Sequence, residues 1–116
     1  MAKNALDKLN HYHQLIEQIL TEHGQQQPIN GEIEVQLLLN PQQADYQVWY
    51  MGWDDDERIH HCLIHVRLKD SKIWIENDDT EVGIANQLIE RGVAQQEIVL
   101  AYHAPYLRHF SEFAVS

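Results

Sequence analysis

The chain has 116 residues, 18 of them acidic and 8 basic, and a formal charge of −10. That length suits a single domain over residues 1–116, and a hydrophobic fraction of 44% is globular rather than disordered. The acidity disfavours direct nucleic-acid binding, which draws most of its affinity from Lys and Arg, and no apolar run is long enough for a membrane span.

Leu6, Leu9, His13, Ile16 and Leu20 recur at helical spacing, with Leu15 and Ile19 widening the stripe. They predict a helix from about Asn4 to His23, stopped at Gly24, before a short polar linker Gln25-Gln26-Gln27-Pro28. Met1-Ala2-Lys3-Asn4 has no signal-peptide core, so the expected location is the cytoplasm.

Glu32 to Leu39 alternates Ile33, Val35, Leu37 and Leu39 against polar neighbours and reads as a strand ended by Asn40-Pro41. Three further strands follow. Tyr46 to Trp53 is rich in aromatic and β-branched residues and is broken by Asp54-Asp55-Asp56. Arg58 to Leu68 alternates so that His60, Cys62, Ile64, Val66 and Leu68 share one face, and Ile59, His61, Leu63, His65 and Arg67 the other. Asp70-Ser71 is a two-residue hairpin turn into Lys72 to Glu76.

Asp78 to Gly92 is predicted as a second helix. Asp78 and Glu81 have capping-box spacing, Val82, Ala85, Leu88 and Ile89 form its buried stripe, and Gly92 fits the C-terminal cap. Gly83 suggests the close approach of another backbone. Beyond Val93 the pattern is irregular: Ile98-Val99-Leu100 is a short strand or buried extended segment, Pro105 opens a final turn through Phe110, and Phe113-Ala114-Val115 is expected to be tied down. The sum is an α+β fold. It has an antiparallel β-meander of about four strands, an N-terminal helix and a second helix packed on one face, and an irregular C-terminal segment.

Chemistry is sparse. Eight histidines invite a metal reading, but His61 and His65 stand about 13 Å apart along an ideal strand, and no zinc spacing occurs. The acidic groups Asp54 to Glu57 and Glu76, Asp78, Asp79 and Glu81 lack the spacing of a calcium loop. No phosphate-binding loop or nucleophile elbow is present, and Ser71, Ser111 and Ser116 have no evident base. Cys62, the only cysteine, reads as a small buried hydrophobe. No enzyme and no cofactor are expected.

The aromatic residues say more. Trp49, Met51 and Trp53 project from one face of their strand, and Trp74 projects opposite Ile73 and Ile75. With helices on the Val48, Ile64 and Ile75 face, Trp49, Trp53 and Trp74 gather on the other, joined by His61, His65 and Arg67. Either the C-terminal segment covers this face with Tyr102, Tyr106, Phe110 and Phe113, or part of it stays open for association, since Trp, Tyr and Arg dominate interface energetics.

Several stretches in order resemble the XisI family, the excision-controlling factors of the cyanobacterial fdxN element. They are Ile33-Glu34-Val35-Gln36-Leu37, Gly52-Trp53, Ile64-His65, Lys72-Ile73-Trp74-Ile75 and Thr80-Glu81-Val82-Gly83-Ile84-Ala85, then Leu88, Gly92-Val93, Ile98-Val99-Leu100, His103, Pro105-Tyr106 and Phe113-Ala114-Val115. Departures are mild, with Ala94 where proline is common and Ala101-Tyr102 where Gly-Phe is common. The resemblance implies a small α+β accessory protein, linked to DNA-element excision in heterocyst development, that is typically encoded beside the nuclease-like XisH. It carries over no catalytic residue. The expected function is binding of a XisH-like partner, through a surface of Trp49, Trp53, His61, His65, Trp74, His103 and Tyr106 that also suits a homo-oligomer. The alternative is an antitoxin-like acidic inhibitor of a nuclease.

Overall fold

The computed structural model describes residues 5–26 and 32–116. The expected helix start at Asn4, the Gln27-Pro28 part of the linker and the Met1 to Asn4 terminus lie outside them. Helix α1 (Ala5–Gly24) leads to strands β1 (Glu32–Asn40), β2 (Asp45–Asp54), β3 (Glu57–Lys69) and β4 (Lys72–Asp78), then helix α2 (Ile84–Glu90) and strand β5 (Ile98–Leu100). A 3-10 turn, Pro105–Phe110, precedes the C-terminal residues.

The sheet runs in the order β1-β2-β3-β4-β5. Its first four strands form the antiparallel meander, and β5 adds a fifth strand parallel to β4, with Ile73, Trp74 and Ile75 beside Ile98, Val99 and Leu100. Ile98 to Leu100 therefore joins the sheet. The β3–β4 connection is the tight hairpin expected: Asp70 and Ser71 take φ of 53° and 62°, as a type I′ turn requires.

One face of the sheet carries the core. Tyr12, Leu15, Ile16, Ile19 and Leu20 of α1 pack against Tyr46, Val48, Ile64, Val66, Ile73 and Ile75, and Ile84 and Leu88 of α2 join them. Each large aliphatic side chain fully withdrawn from water here contributes about 1.5–3 kcal/mol. The alternation of β1 and β2 predicts this face correctly; Leu6, at the start of the expected α1 stripe, is exposed instead.

Two bulges alter what alternation predicts for β3 and β4. Val48 faces Ile64 but the next pair is Trp49 with Cys62, so Leu63 is an extra residue in β3; Glu76 is likewise extra in β4. A bulge turns the residues before it onto the opposite face. His60 and Cys62 thus share a face with Trp49, whereas Leu63 packs against the core.

The second helix is shorter than predicted, seven residues instead of the span from Asp78 to Gly92. Asp78 does not act through a capping box with Glu81. It ends β4, and its carboxylate accepts hydrogen bonds from Thr80 N–H, the Thr80 hydroxyl and the Ile84 N–H at 3.0, 2.6 and 2.7 Å. Residues 79–83 are a loop braced by that carboxylate, and Val82 is 57% exposed rather than buried. Gly83 is not there for a close backbone approach: its φ is 88°, and the nearest atom to an added Cβ is the Asn86 side chain at 3.4 Å. Gly92 ends α2 as expected, with φ of 95° and a pair of bonds, Gly92 N–H to Ile89 O and Val93 N–H to Leu88 O, that close a Schellman motif.

Candidate interaction surface

The face of the sheet away from α1 is organised by β2. Across its pairings, Glu32, Trp53 and Arg58 form one row, Glu34, Met51 and His60 the next, then Gln36, Trp49 and Cys62, then Leu38, Gln47 and His65. Along the strand, Trp49 Nε1–H donates to Gln47 Oε1 at 2.7 Å, and Gln47 Nε2–H donates to Asp45 Oδ2 at 3.2 Å. His65 Nε2 lies 2.6 Å from the other Asp45 oxygen. This ladder fixes the Trp49 ring, and the His60 ring packs on it at 5.0 Å between centroids. Fixed side chains lose less rotamer entropy on meeting a partner. Trp53 is 48% exposed at the far end, with the Arg58 guanidinium 5.5 Å from its ring centre.

Trp74 shares this face but not this neighbourhood. It pairs with Arg67, nine residues along β3 from the partner of Trp53, a separation of about 30 Å. Val99, Ala101 and Ala114 cover it to 9% exposure in a small second core. Its indole N–H donates to Lys69 O at 2.9 Å, and Lys69 and Arg108 both lie over the ring. The three tryptophans therefore do not gather: Trp49 and Trp53 look outward from the open part of the face, and Trp74 is sealed by the tail.

His61 is on the opposite face from His65. The bulge at Leu63 pairs it with Tyr50 and brings its Nε2 2.9 Å from Asp79. Asp79 helps line a cleft of about 350 Å³ with His23, Tyr50, Leu63, Thr80, Glu81 and Val82. Sequence alternation could not show this, because a bulge depends on the strand opposite.

The C-terminal segment covers less than the sequence suggests. Ala114 bridges to Val99 and donates to Ile98 O at 2.9 Å, which ties the tail to β5. Phe113 packs against the main core rather than over the tryptophans. Tyr102, Tyr106, Leu107 and Phe110 face solvent, with Tyr106 73% and Phe110 79% exposed. His103 is exposed beside Tyr102, their rings 4.6 Å apart. The segment is nonetheless held firmly. Arg108 donates to His103 O, Ala101 O and Val115 O at 3.0, 3.3 and 3.4 Å. A rigid turn thus presents aromatic rings outward. The composition of the tail announces the rings; their outward direction follows only from its packing.

Cys62 is half-buried, its thiol donating to Ile64 O at 3.4 Å. Burial pushes that thiol up, and the Asp79 charge adds to the effect, so it is a poor nucleophile at neutral pH. Among the described residues, no three His, Cys, Asp or Glu side chains come together as a metal site. No described helix is long and apolar enough to cross a membrane.

The family model described as XisI protein matches residues 6–115. The chain belongs to the XisI family. Two solved structures from Anabaena variabilis resemble this XisI-family chain closely. One, a XisI-like protein, is 34% identical with a TM-score of 0.87, covering 93% of this chain and 99% of its own. The other, described as the fdxN element excision controlling factor XisI, is 29% identical with a TM-score of 0.82, covering 94% of this chain and 99% of its own. No curated protein matches significantly. The XisI resemblance and the α+β fold stand as read from the sequence, with five strands in place of about four.

Proposed function

We propose that this XisI-family chain is a non-enzymatic accessory factor that controls DNA-element excision by binding a XisH-like nuclease-type protein. The observation that carries the reading is the tail: Tyr102, Tyr106, Leu107 and Phe110 stand exposed on a turn locked by Arg108. Aromatic groups held rigid in solvent are the usual anchors of protein interfaces. His103 lies among them, and Trp49, Trp53 and His65 on the open sheet face offer a second, separate platform.

The charges support a protein rather than DNA as the direct partner. Lys8, Arg67 and Arg91 are paired with Glu97, Glu76 and Glu22, and Arg58, Lys69 and Arg108 lie over tryptophan rings. With these cations engaged and a net charge of −10, a phosphate backbone is repelled while a basic protein surface is attracted.

Co-purification with a XisH-like protein tests this. Tyr106→Ala with Phe110→Ala should abolish retention of the partner and leave the thermal melt unchanged, because both rings already face water. Trp53→Ala should weaken retention less. Undiminished retention by the folded double variant would sink the reading. The salt response separates it from acidic inhibition of a nuclease: aromatic anchoring predicts modest salt dependence, whereas DNA mimicry predicts a steep loss of affinity.

A further inference from the structure

Strand β1 is the open edge of the sheet. Strand β2 occupies one side of it and, among the described residues, no strand occupies the other; at the far edge β5 is bridged to Ala114. Over its nine residues β1 pairs with β2 without a bulge and contains neither proline nor lysine. Bulges, prolines and charged side chains, lysine above all, are devices by which monomeric proteins blunt an edge. Its two charges, Glu32 and Glu34, stand together at one end. Ile33, Val35, Leu37 and Leu39 are only half-buried on its core side, and Leu38 is 41% exposed on the outer side.

We propose that β1 pairs with β1 of a second copy of this chain, antiparallel about a twofold axis at Gln36, joining two five-stranded sheets into one. The register follows from charge and pattern. Centring on Gln36 sets Glu34 opposite Leu38 and Glu32 opposite Asn40 on the outer face, and Val35 opposite Leu37 and Ile33 opposite Leu39 on the core face. No charge meets a like charge, and the half-buried aliphatic row of each copy continues into that of the other. Parallel in-register pairing instead stacks Glu32 on Glu32 and Glu34 on Glu34. A basic strand from another protein finds carboxylates at only one end of β1 and nothing complementary from Gln36 to Leu39. The proposal uses neither the tail nor Trp53, so it stands or falls apart from the partner reading above.

Sedimentation equilibrium of the full chain tests it, at moderate salt so that the charge of −10 on each copy is screened. The wild type is expected to dimerise. Leu38→Glu sets a carboxylate opposite Glu34 at two symmetry-related places and should raise the dissociation constant about tenfold or more. Adding Glu34→Lys restores opposite charges at both places and should recover the dimer. Circular dichroism melts confirm that each variant is folded; Gln36→Glu, which places like charges across the axis itself, replaces Leu38→Glu if that chain melts. A wild type that stays monomeric throughout, a folded charge variant that dimerises as tightly as wild type, or a double variant that fails to recover each overturns the proposal.

Discussion

Gly52 shows how one residue sets the meeting of two strands. It pairs with Ile33 at a φ of 147°, and an added Cβ would lie 1.9 Å from Glu32 O and 2.9 Å from the Ile33 Cα. Both obstacles are backbone, which cannot swing aside. Gly52→Ala should therefore cost well over about 2 kcal/mol, measured by urea unfolding, because β1 must shift. Gly92→Ala is the control: open space surrounds it, so only its φ of 95° is charged against the variant, about 1–2 kcal/mol. Equal losses at the two sites would contradict this account. Tyr46 gives a prediction in pH. Its fully buried phenol is paired with His13 Nδ1, and burial, aided by the Glu17 carboxylate, pushes its pKa up from 10.0 to about 12. The folded state then holds the proton where the unfolded state releases it, so stability is intact below pH 10 and falls as pH rises towards 12. The loss should approach roughly 2–3 kcal/mol. Unfolding curves taken from pH 9 upward should show that slope in wild type and a shallower one in Tyr46→Phe, which keeps the Tyr12 and Tyr102 phenols and the Cys62 thiol that burial also pushes up.

Among the elements, the tail and the loop before α2 rest on a few polar contacts. Arg108 crosses from the 3-10 turn to three carbonyls and lies over the Trp74 ring. Arg108→Ala should destabilise the fold by about 1–3 kcal/mol and shift Trp74 emission to the red as water reaches the ring. Trp74→Ala opens a cavity beneath Val99 and Ala114 and should cost about 3–5 kcal/mol. Asp78→Ala leaves the Ile84 N–H and the Thr80 loop without their acceptor, and a loss of about 1–3 kcal/mol is expected, with faster hydrogen exchange confined to residues 79–88. Exchange that accelerates evenly over the whole sheet would show that this loop is not held by Asp78.

At the scale of the whole molecule, the two faces of one sheet have separate tasks. Helices α1 and α2 seal one face into the core, while among the described residues the other is covered at its β4–β5 end alone. The open remainder carries Trp49 and Trp53, and the tail that seals Trp74 turns its own rings to solvent. A chain that spends aromatic residues this way presents two aromatic platforms, one flat and one projecting, on a strongly acidic body. Chemical-shift mapping with a bound XisH-like protein should light up Tyr102, His103, Tyr106 and Phe110 first, then Trp53, and leave Tyr50 and Leu63 on the helix side unmoved.

The periodicity of α1 and of β1 and β2, the Asp70-Ser71 hairpin and the Gly92 cap are legible in the sequence because each rests on residues close together in the chain. The XisI resemblance was legible for a similar reason, since order and spacing along one chain carry it. The placement of His61, the true length of α2 and the exposure of Tyr106 and Phe110 were not. A bulge at Leu63 exists only in relation to β2, and Asp78 caps Ile84 only once a loop has folded back to it. Alternation and spacing are properties of a single strand or helix, whereas facing, sealing and exposure are settled by what packs opposite. The sequence by itself therefore determined most of the elements and the family, and the tertiary structure decided the length of α2, the joining of β5 to the sheet and which rings water can reach.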